Sequence, residues 1–234
     1  MYKVHHAVEY AVLLMRILIL AATPLEAPLV TAGAADVVVT GLGAVNTAHA
    51  LAREILNRRP RLVIQTGVAG AYVPSGVAVG SVLLATEEMY GDVGVLTPSG
   101  WLPADVIGIP LVPASATHPA LFNHYPLDPA LVAAAARICG PLVARTGRFL
   151  TLAQCTGVRS LGDALHARFN ALCESMEGAA AAQVCAMHGI PFLEVRGVSN
   201  LVEDRDRESW RLEDAARAAH RTVLRLIERK GELA

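Results

Sequence analysis

The stretch "LVIQTGVAGAY", residues 62–72, begins like a buried strand and then changes to small residues. Leu62, Val63 and Ile64 form an apolar run, which predicts a strand over residues 61–66. The stretch "DVVVTG", residues 36–41, repeats the pattern. Strands that are apolar along their whole length are typical of a sheet covered by helices on both faces. We therefore expect an α/β fold in which the small residues after Gln65 form a tight turn.

Outward from this strand, strand and helix patterns alternate along the chain. In the last helix pattern, Leu212, Ala219 and Val223 fall on one apolar stripe at helical spacing. Residues 97–128, rich in Pro, Gly and His, predict a long surface excursion. The alternation indicates a layered α/β domain with a largely parallel sheet. The predicted strands span residues 16–21, 36–40, 61–66, 80–86, 145–154 and 191–198, and the predicted helices span 45–58, 128–139, 159–169, 177–188 and 211–229.

Composition limits the classes of function open to this chain. Its 234 residues are 53% hydrophobic and 18% charged, which suits one sizeable domain with ample core. The formal net charge of −1 provides no basic field, so we expect no nucleic-acid partner. Cys139, Cys155, Cys173 and Cys185 form no C-x-x-C pair, which favours reduced thiols and a cytoplasmic location. The eight histidines show no zinc-ligand spacing, so we expect no metal.

The N-terminal region is apolar but does not predict a membrane helix. Glu9 and Arg16 interrupt the apolar stretch of residues 7–22, which leaves it too short to span a bilayer. We therefore expect no membrane partner. The stretch that starts at Met15 reads like the start of a domain, so we expect an N-terminal extension over residues 1–14 and a single domain over 15–234.

Several predicted strands end in polar or small residues, where α/β sheets bind ligands. Glu26 ends "ATPLE" after the first strand and is either an exposed loop acid or a general base. Glu177, in "ESMEGAAAAQVC", precedes a helix of small residues, so it either caps that helix or holds the vicinal hydroxyls of a sugar. The Gly-rich "TGLGAVN", residues 40–46, lacks the third glycine of a dinucleotide site and is either a tight turn with Asn46 as N-cap or an anion site.

These motifs together resemble the nucleoside phosphorylase and nucleosidase superfamily. "AATPLE", "GLGAVNTA", "TGVAGAY", "ESMEGAAAAQVC" and "VRGVSNLV" occur in the family's order and spacing over about residues 15–230. Within the superfamily, "YGDVGV" at 90–95, Ser199–Asn200 and "RDRESW" at 205–210 resemble the futalosine hydrolases of the alternative menaquinone pathway. The resemblance implies a single-domain, three-layer α/β/α fold with a central twisted mixed sheet. It also implies a small-molecule nucleoside substrate, a homodimer or larger homo-oligomer, and no cofactor.

The resemblance also assigns roles to individual residues. It implies that Glu26 directs water at the anomeric carbon, that Glu177 holds the ribose with Met176 packed on the sugar, and that Asn200 stabilises the leaving purine. The positions expected to line the substrate pocket are Gly43, Gly67, Val68, Ala69, Ala153, Gln154, Cys155 and Met176.

Asn200 suggests which purine leaves. Adenine-directed members of the superfamily carry Asp at this position. An Asn amide can donate to O6 of hypoxanthine while its carbonyl accepts from a protonated N7. We therefore expect hydrolysis of futalosine, with release of hypoxanthine and dehypoxanthine futalosine. Asn cannot supply the proton itself, and the candidate donors are water and a neighbour such as Asp204.

Three alternatives stay open at this point. The first is a methylthioadenosine/S-adenosylhomocysteine nucleosidase. The second is a purine nucleoside phosphorylase, although Gln65 and Val68 stand where phosphorylases of the superfamily carry an Arg and a Ser that bind phosphate. The third is a nucleoside-binding module without turnover. The benzoate of futalosine also needs a cation, for which Arg205, Arg207 and Arg211 are candidates, although a solvated charge run explains these residues better.

Overall fold

A computed structural model describes residues 16–31, 33–116 and 118–233. The expected extension over residues 1–14 lies outside the described residues. The five predicted helices are confirmed, with each end within one residue of its expected position. The helices are α1 (Ala44–Arg58), α2 (Pro129–Cys139), α3 (Arg159–Phe169), α4 (Gly178–His188) and α5 (Leu212–Glu228).

The strands of the described residues form one large mixed sheet and one short hairpin. The hairpin joins β5 to β6 within the chain's Pro- and Gly-rich region. The strands are β1 (Ile17–Ala21), β2 (Asp36–Val39), β3 (Leu62–Tyr72), β4 (Val82–Tyr90), β5 (Gly94–Thr97), β6 (Gly100–Pro103), β7 (His124–Pro126), β8 (Arg145–Thr151), β9 (Cys173–Ser175) and β10 (Phe192–Val202).

The large sheet closes on itself around β3. Strands β2, β1, β3 and β10 are parallel neighbours, and β10 then pairs with β4 in the antiparallel direction. Strand β4 is parallel to β8 and β8 to β9, and β9 returns to pair antiparallel with β3. β7 adds to β4. Helices α1 and α4 pack together on the sheet, and α2 and α5 pack together on it as a second pair. The mixed central sheet of an α/β fold is thereby confirmed.

Four strand ends, those of β3, β4, β8 and β10, differ from the prediction by three residues or more. Residues 66–72 were expected to form a turn, but they continue β3, and β10 runs through Ser199–Asn200 instead of ending at Val198. The two segments pair with each other along their length, and Gly70 and Ala71 of β3 also pair with β9. Small residues remain in a strand here because neighbours on both sides satisfy their backbone hydrogen bonds.

The core is apolar and continuous, as the composition predicts. Ile17–Ala21 of β1 are fully buried, and so are Leu62–Ile64 of β3. The predicted stripe of α5 faces this core through Ala219, Val223 and Leu226. In the described part of the chain, no helix is both long and apolar enough to cross a membrane.

Candidate active site

A cavity of about 130 Å³ lies beyond β1 and over the second halves of β3 and β10. The loops after β1, β2, β8 and β9 close it, together with residues that lead into α5. Three carboxylates and one amide line it: Glu26, Glu174, Glu177 and Asn200.

Glu26 is buried, not an exposed loop acid. Its side chain is 6% exposed, and Thr23 Oγ1 donates to its Oε2 at 2.7 Å. The backbone N–H of Val68 donates to its Oε1 at 2.9 Å. Gly67 makes this approach possible, because a Cβ at that position would overlap the Glu26 carboxylate and lie 2.7 Å from Arg196 Nη1. The middle of β3 therefore fixes the carboxylate of Glu26, which follows β1.

Glu177 occupies the residue before α4, but its side chain does not cap that helix. Instead, the N–H of Gly43 donates to its Oε1 at 2.9 Å and the N–H of Met176 donates to its Oε2 at 3.3 Å. Gly43, with φ of 90°, is the N-cap residue of α1 and brings the loop after β2 against the carboxylate. Asn46 is not the N-cap and donates to the Leu42 carbonyl at 2.7 Å. The geometry therefore excludes the helix-cap interpretation. The other one, a carboxylate that holds sugar hydroxyls, fits a side chain that lines the cavity.

Arg196, which the sequence analysis missed, links the two carboxylates from beneath. It is fully buried in β10, and its Nη2 donates to Glu177 Oε2 at 3.3 Å and its Nη1 to the Val68 carbonyl at 3.2 Å. Burial alone lowers the pKa of Arg196, but the charges of Glu194, Glu177 and Glu26 outweigh it and raise the pKa overall. A permanently charged guanidinium thus stands under the site. Its signal in the sequence was the pair of charges in "FLEVRGV", an otherwise apolar strand.

A second buried acid pair lies behind Arg196. Arg196 Nε donates to Glu194 Oε1 at 2.7 Å, and Thr151 Oγ1 donates to Glu88 Oε2 at 2.8 Å. The remaining oxygens, Glu88 Oε1 and Glu194 Oε2, are buried without another donor, and both lie against Gly178. Burial raises the pKa of Glu88 well above its usual range, and the charge of Glu194 raises it further. A proton on Glu88 explains how two carboxyl groups are buried side by side here.

Asn200 lies within β10 at a bulge. Val198 pairs with Ala69 and Asn200 with Gly70, so Ser199 is the extra residue. Ser199 Oγ donates to Asn200 Oδ1 at 2.7 Å, and Asn200 Nδ2 donates to the Leu201 carbonyl at 3.0 Å. One amide hydrogen and one carbonyl lone pair stay available to a ligand.

Glu174 is the third carboxylate of the cavity, and the sequence analysis did not single it out. It is 7% exposed, with Oε2 accepting from Tyr72 Oη at 2.9 Å and Oε1 from the Thr156 N–H at 2.6 Å. Burial raises the pKa of Glu174 overall, and the hydrogen bonds from Thr156 and Tyr72 offset only part of that rise.

The predicted pocket positions divide into three groups. Val68, Ala69, Cys155 and Met176 line the cavity. Gly43 and Gly67 lie against the carboxylates of Glu177 and Glu26, as described above. Ala153 and Gln154 are exposed and do not line the cavity, and the Ala153 N–H donates to Asp92.

The candidate cations and the candidate proton donor lie outside the cavity lining. Arg205 stacks on the Trp210 ring at 4.8 Å, and Trp210 in turn lines the cavity. Arg207 and Arg211 do not line it. Asp204 accepts from the N–H of Arg159 at 3.0 Å, at the start of α3.

Comparison with known proteins places this geometry in a family. A model of the phosphorylase superfamily matches residues 17–228. The chain belongs to this superfamily. It is 37% identical over 195 residues to the futalosine hydrolase of Thermus thermophilus, covering 82% of this chain and 80% of that protein. It is 33% identical to the 5′-methylthioadenosine/S-adenosylhomocysteine nucleosidase of Geobacillus kaustophilus, covering 80% of this chain and 77% of that protein.

A solved structure supports the same fold. The nucleosidase of that second type from S. pneumoniae, in complex with a transition-state inhibitor, superposes with a TM-score of 0.73 at 24% identity. The match covers 92% of this chain and 99% of that one. The resemblance predicted from the five sequence motifs is therefore confirmed at the level of the superfamily and its fold.

Proposed function

We propose that this chain hydrolyses the N-ribosidic bond of futalosine and releases hypoxanthine and dehypoxanthine futalosine. The observation that carries the proposal is one cavity in which Glu26 and Glu177, both beside buried Arg196, face the amide of Asn200. Two acids and one amide meet the three needs of the reaction, which are an activated water, a stabilised ribosyl cation and a stabilised leaving base. The 37% identity to a futalosine hydrolase supports this substrate.

Glu26 is the proposed general base. A water between its carboxylate and the anomeric carbon loses a proton to Glu26 as its oxygen bonds that carbon. The electron pair of the broken C–N bond leaves with the purine, which takes up a proton at N7 from a second water molecule. Hydrogen bonds from Thr23 and Val68 orient the carboxylate and leave its remaining lone pairs for the water.

Glu177 and Met176 are the proposed ribose site. A carboxylate beside the sugar accepts from its hydroxyls and stabilises the positive charge that develops on the ring. The Gly43 N–H and Arg196 fix Glu177 in advance, so the site needs no rearrangement as this charge develops. Arg196 acts as a positioning residue, because it contacts Glu177 from beneath and does not line the cavity.

Asn200 is the proposed contact to the leaving base. Its free amide hydrogen donates to O6 of hypoxanthine, and its carbonyl accepts from N7–H. Met176, Cys155, Val68 and Ala69 supply apolar walls to the same cavity.

The observations favour one of the two enzymatic alternatives and disfavour the other. Hydrolysis of methylthioadenosine or S-adenosylhomocysteine is favoured by the 33% identity to a nucleosidase of that type. Phosphorolysis is disfavoured, because Val68 lines the cavity and fully buried Gln65 bonds the Thr66 carbonyl, so neither offers a charged contact to phosphate.

One assay separates these functions. The purified protein is incubated with futalosine, methylthioadenosine and inosine in phosphate-free buffer, and the free base is measured. Hypoxanthine from futalosine supports the proposal, and adenine from methylthioadenosine alone contradicts it in favour of the alternative nucleosidase. Release that begins only after phosphate is added indicates a phosphorylase. Binding without release of any base indicates a module without turnover.

We also propose that the protein acts in the cytoplasm as a homodimer or larger homo-oligomer, in the alternative menaquinone pathway. None of its four cysteines forms a disulfide, which fits a reducing compartment.

Leu42 lines the cavity and is 59% exposed, and Val45 nearby in α1 is 83% exposed, so the cavity mouth offers an apolar surface to a second copy. Light scattering measures the oligomer, and futalosine should accumulate in a host that lacks the gene.

A further inference from the structure

Glu174 has no part in the mechanism above, although its carboxylate lines the same cavity. Neither the attack of water nor the support of the ribose cation needs a third acid. A carboxylate that is 7% exposed is costly to bury unless it has partners, and its two partners here are Tyr72 and Thr156. Each oxygen accepts one hydrogen bond and keeps lone pairs for a ligand.

The sheet register places Glu174 opposite Asn200 across a single glycine. Gly70 of β3 pairs with Glu174 of β9 on one side and with Asn200 of β10 on the other. Residues in register on neighbouring strands present their side chains to the same face. With strands spaced about 4.8 Å apart, the two Cα atoms are roughly 10 Å apart.

Gly70, which has no side chain, lets the Asn200 amide and Val202 lie close over β3. A Cβ at Gly70 would lie 3.2 Å from Asn200 Nδ2 and 3.0 Å from Val202 Cγ2, tighter than ordinary contact. All three residues, Gly70, Glu174 and Asn200, line the cavity. A ligand in this cavity therefore meets the Asn200 amide on one side and the Glu174 carboxylate on the other.

The two side chains complement two different edges of a 6-oxopurine. In the proposed function, Asn200 serves O6 and N7. The adjacent ring atom, N1, carries a hydrogen in hypoxanthine and a lone pair in adenine. An ionised carboxylate only accepts hydrogen bonds, so it favours the N1–H of hypoxanthine and opposes the N1 lone pair of adenine.

We propose that Glu174 accepts the N1–H of a 6-oxopurine and, together with Asn200, sets the preference for hypoxanthine over adenine. This inference rests on the proposed function and deepens it. Selectivity then comes from both sides of the base. A single amide at Asn200 discriminates through O6, whereas Glu174 adds a repulsive contact against adenine, which is an effective way to exclude a competing substrate.

The test replaces Glu174 by Gln, which has the same size but places an amide beside N1. The kcat/KM for futalosine and inosine should fall roughly 10- to 100-fold, the scale of a lost hydrogen bond to a charged group. The kcat/KM for adenine nucleosides should stay constant or rise. The matched control is Glu208→Gln, which makes the same change at an exposed position outside the cavity lining and should change neither value.

A purely structural role predicts a different result. If Glu174 only holds Tyr72 and Thr156 in place, Glu174→Gln lowers the turnover of hypoxanthine and adenine nucleosides by one common factor, and the inference is wrong. A second measurement needs no variant. The wild-type protein should bind hypoxanthine at least about 10-fold more tightly than 1-methylhypoxanthine, which lacks the N1–H. Equal affinities overturn the inference.

The two proposals fail in different ways. If the wild-type protein releases no base from any nucleoside, the proposed function is wrong. If it releases hypoxanthine but Glu174→Gln leaves the hypoxanthine-to-adenine ratio unchanged, only the assignment of Glu174 is wrong.

Discussion

At the scale of single residues, the site is organised around one buried guanidinium. Arg196 donates to Glu177 and to the Val68 carbonyl, and the N–H of Val68 in turn donates to Glu26. Two carboxylates near one cavity repel each other, and the positive charge of Arg196 beside both of them offsets that repulsion. Glu26 can then act as a base while Glu177 stays available to the sugar.

Replacing Glu26 by Gln should lower kcat by about 10²-fold or more, because the amide cannot accept a proton from water. Substrate binding should change little, since the Gln carbonyl can still accept from the Val68 N–H. Steady-state kinetics with futalosine measure both parameters. Glu213→Gln, an exposed change on α5, is the control. Unchanged kcat in the Glu26 variant would remove this residue from the mechanism.

Replacing Asn200 by Asp should reverse part of the base preference. An ionised Asp places an acceptor against O6 of hypoxanthine, so kcat/KM for futalosine should fall roughly 10- to 100-fold. For adenine nucleosides, whose exocyclic amine donates a hydrogen bond to the Asp, kcat/KM should rise. Asn170→Asp makes the same change at an exposed position after α3 and should leave kcat/KM for both classes of nucleoside unchanged. A constant hypoxanthine-to-adenine ratio would show that Asn200 does not select the base.

At the scale of elements, the sequence predicted every α-helix of the described residues but not the ends of β3 and β10. The pattern "GVAGAY" is typical of a turn, and only the pairing of β3 with β10 and β9 explains why it remains a strand. Strand β9, three residues long, has no periodic pattern of its own. Local sequence carries no information about such distant partners, and for this reason Glu174 on β9 was missed.

The candidate site was predictable where a residue type is chemically unusual for its position. Glu26, Glu177 and Asn200 follow apolar segments, and the structure places all three around one cavity. Arg196 and Glu194 were missed because they lie inside an apolar strand, where the pattern indicates only core. Ala153 and Gln154 came from the family resemblance alone, and their exposure leaves that assignment as a prediction.

The first residue of α4, Gly178, lies too close to two buried carboxylates to carry a side chain. A Cβ at Gly178 would overlap the carboxylates of both Glu88 and Glu194, whereas a Cβ at Gly157 would meet only Arg205 at 3.4 Å or beyond. Gly178→Ala should therefore lower the free energy of unfolding by about 1–3 kcal/mol, the usual cost of overpacking. Gly157→Ala is the matched control. Urea denaturation measures both variants, and equal midpoints would contradict the tight contact at Gly178.

At the scale of the whole molecule, the buried acid pair links stability to pH. The pKa of Glu88 is raised in the folded protein by burial and by Glu194. The folded state therefore holds a proton that the unfolded chain has already lost above its own carboxyl pKa. Where the folded state binds more protons, the free energy of unfolding falls as the pH rises. Stability should decline from the ordinary carboxyl range upward, through the raised pKa of Glu88.

Glu88→Gln tests this link, because Gln imitates the protonated acid. Its carbonyl can accept from Thr151 Oγ1, and its amide can donate to the unpaired Glu194 Oε2. Melting temperatures of the variant and the wild type should agree at acidic pH and diverge as the pH rises, with the variant more stable. Each unit by which the pKa is raised corresponds to about 1.4 kcal/mol at high pH. Glu213→Gln, which is exposed, should follow the wild-type curve, and parallel curves for Glu88→Gln would contradict a proton on buried Glu88.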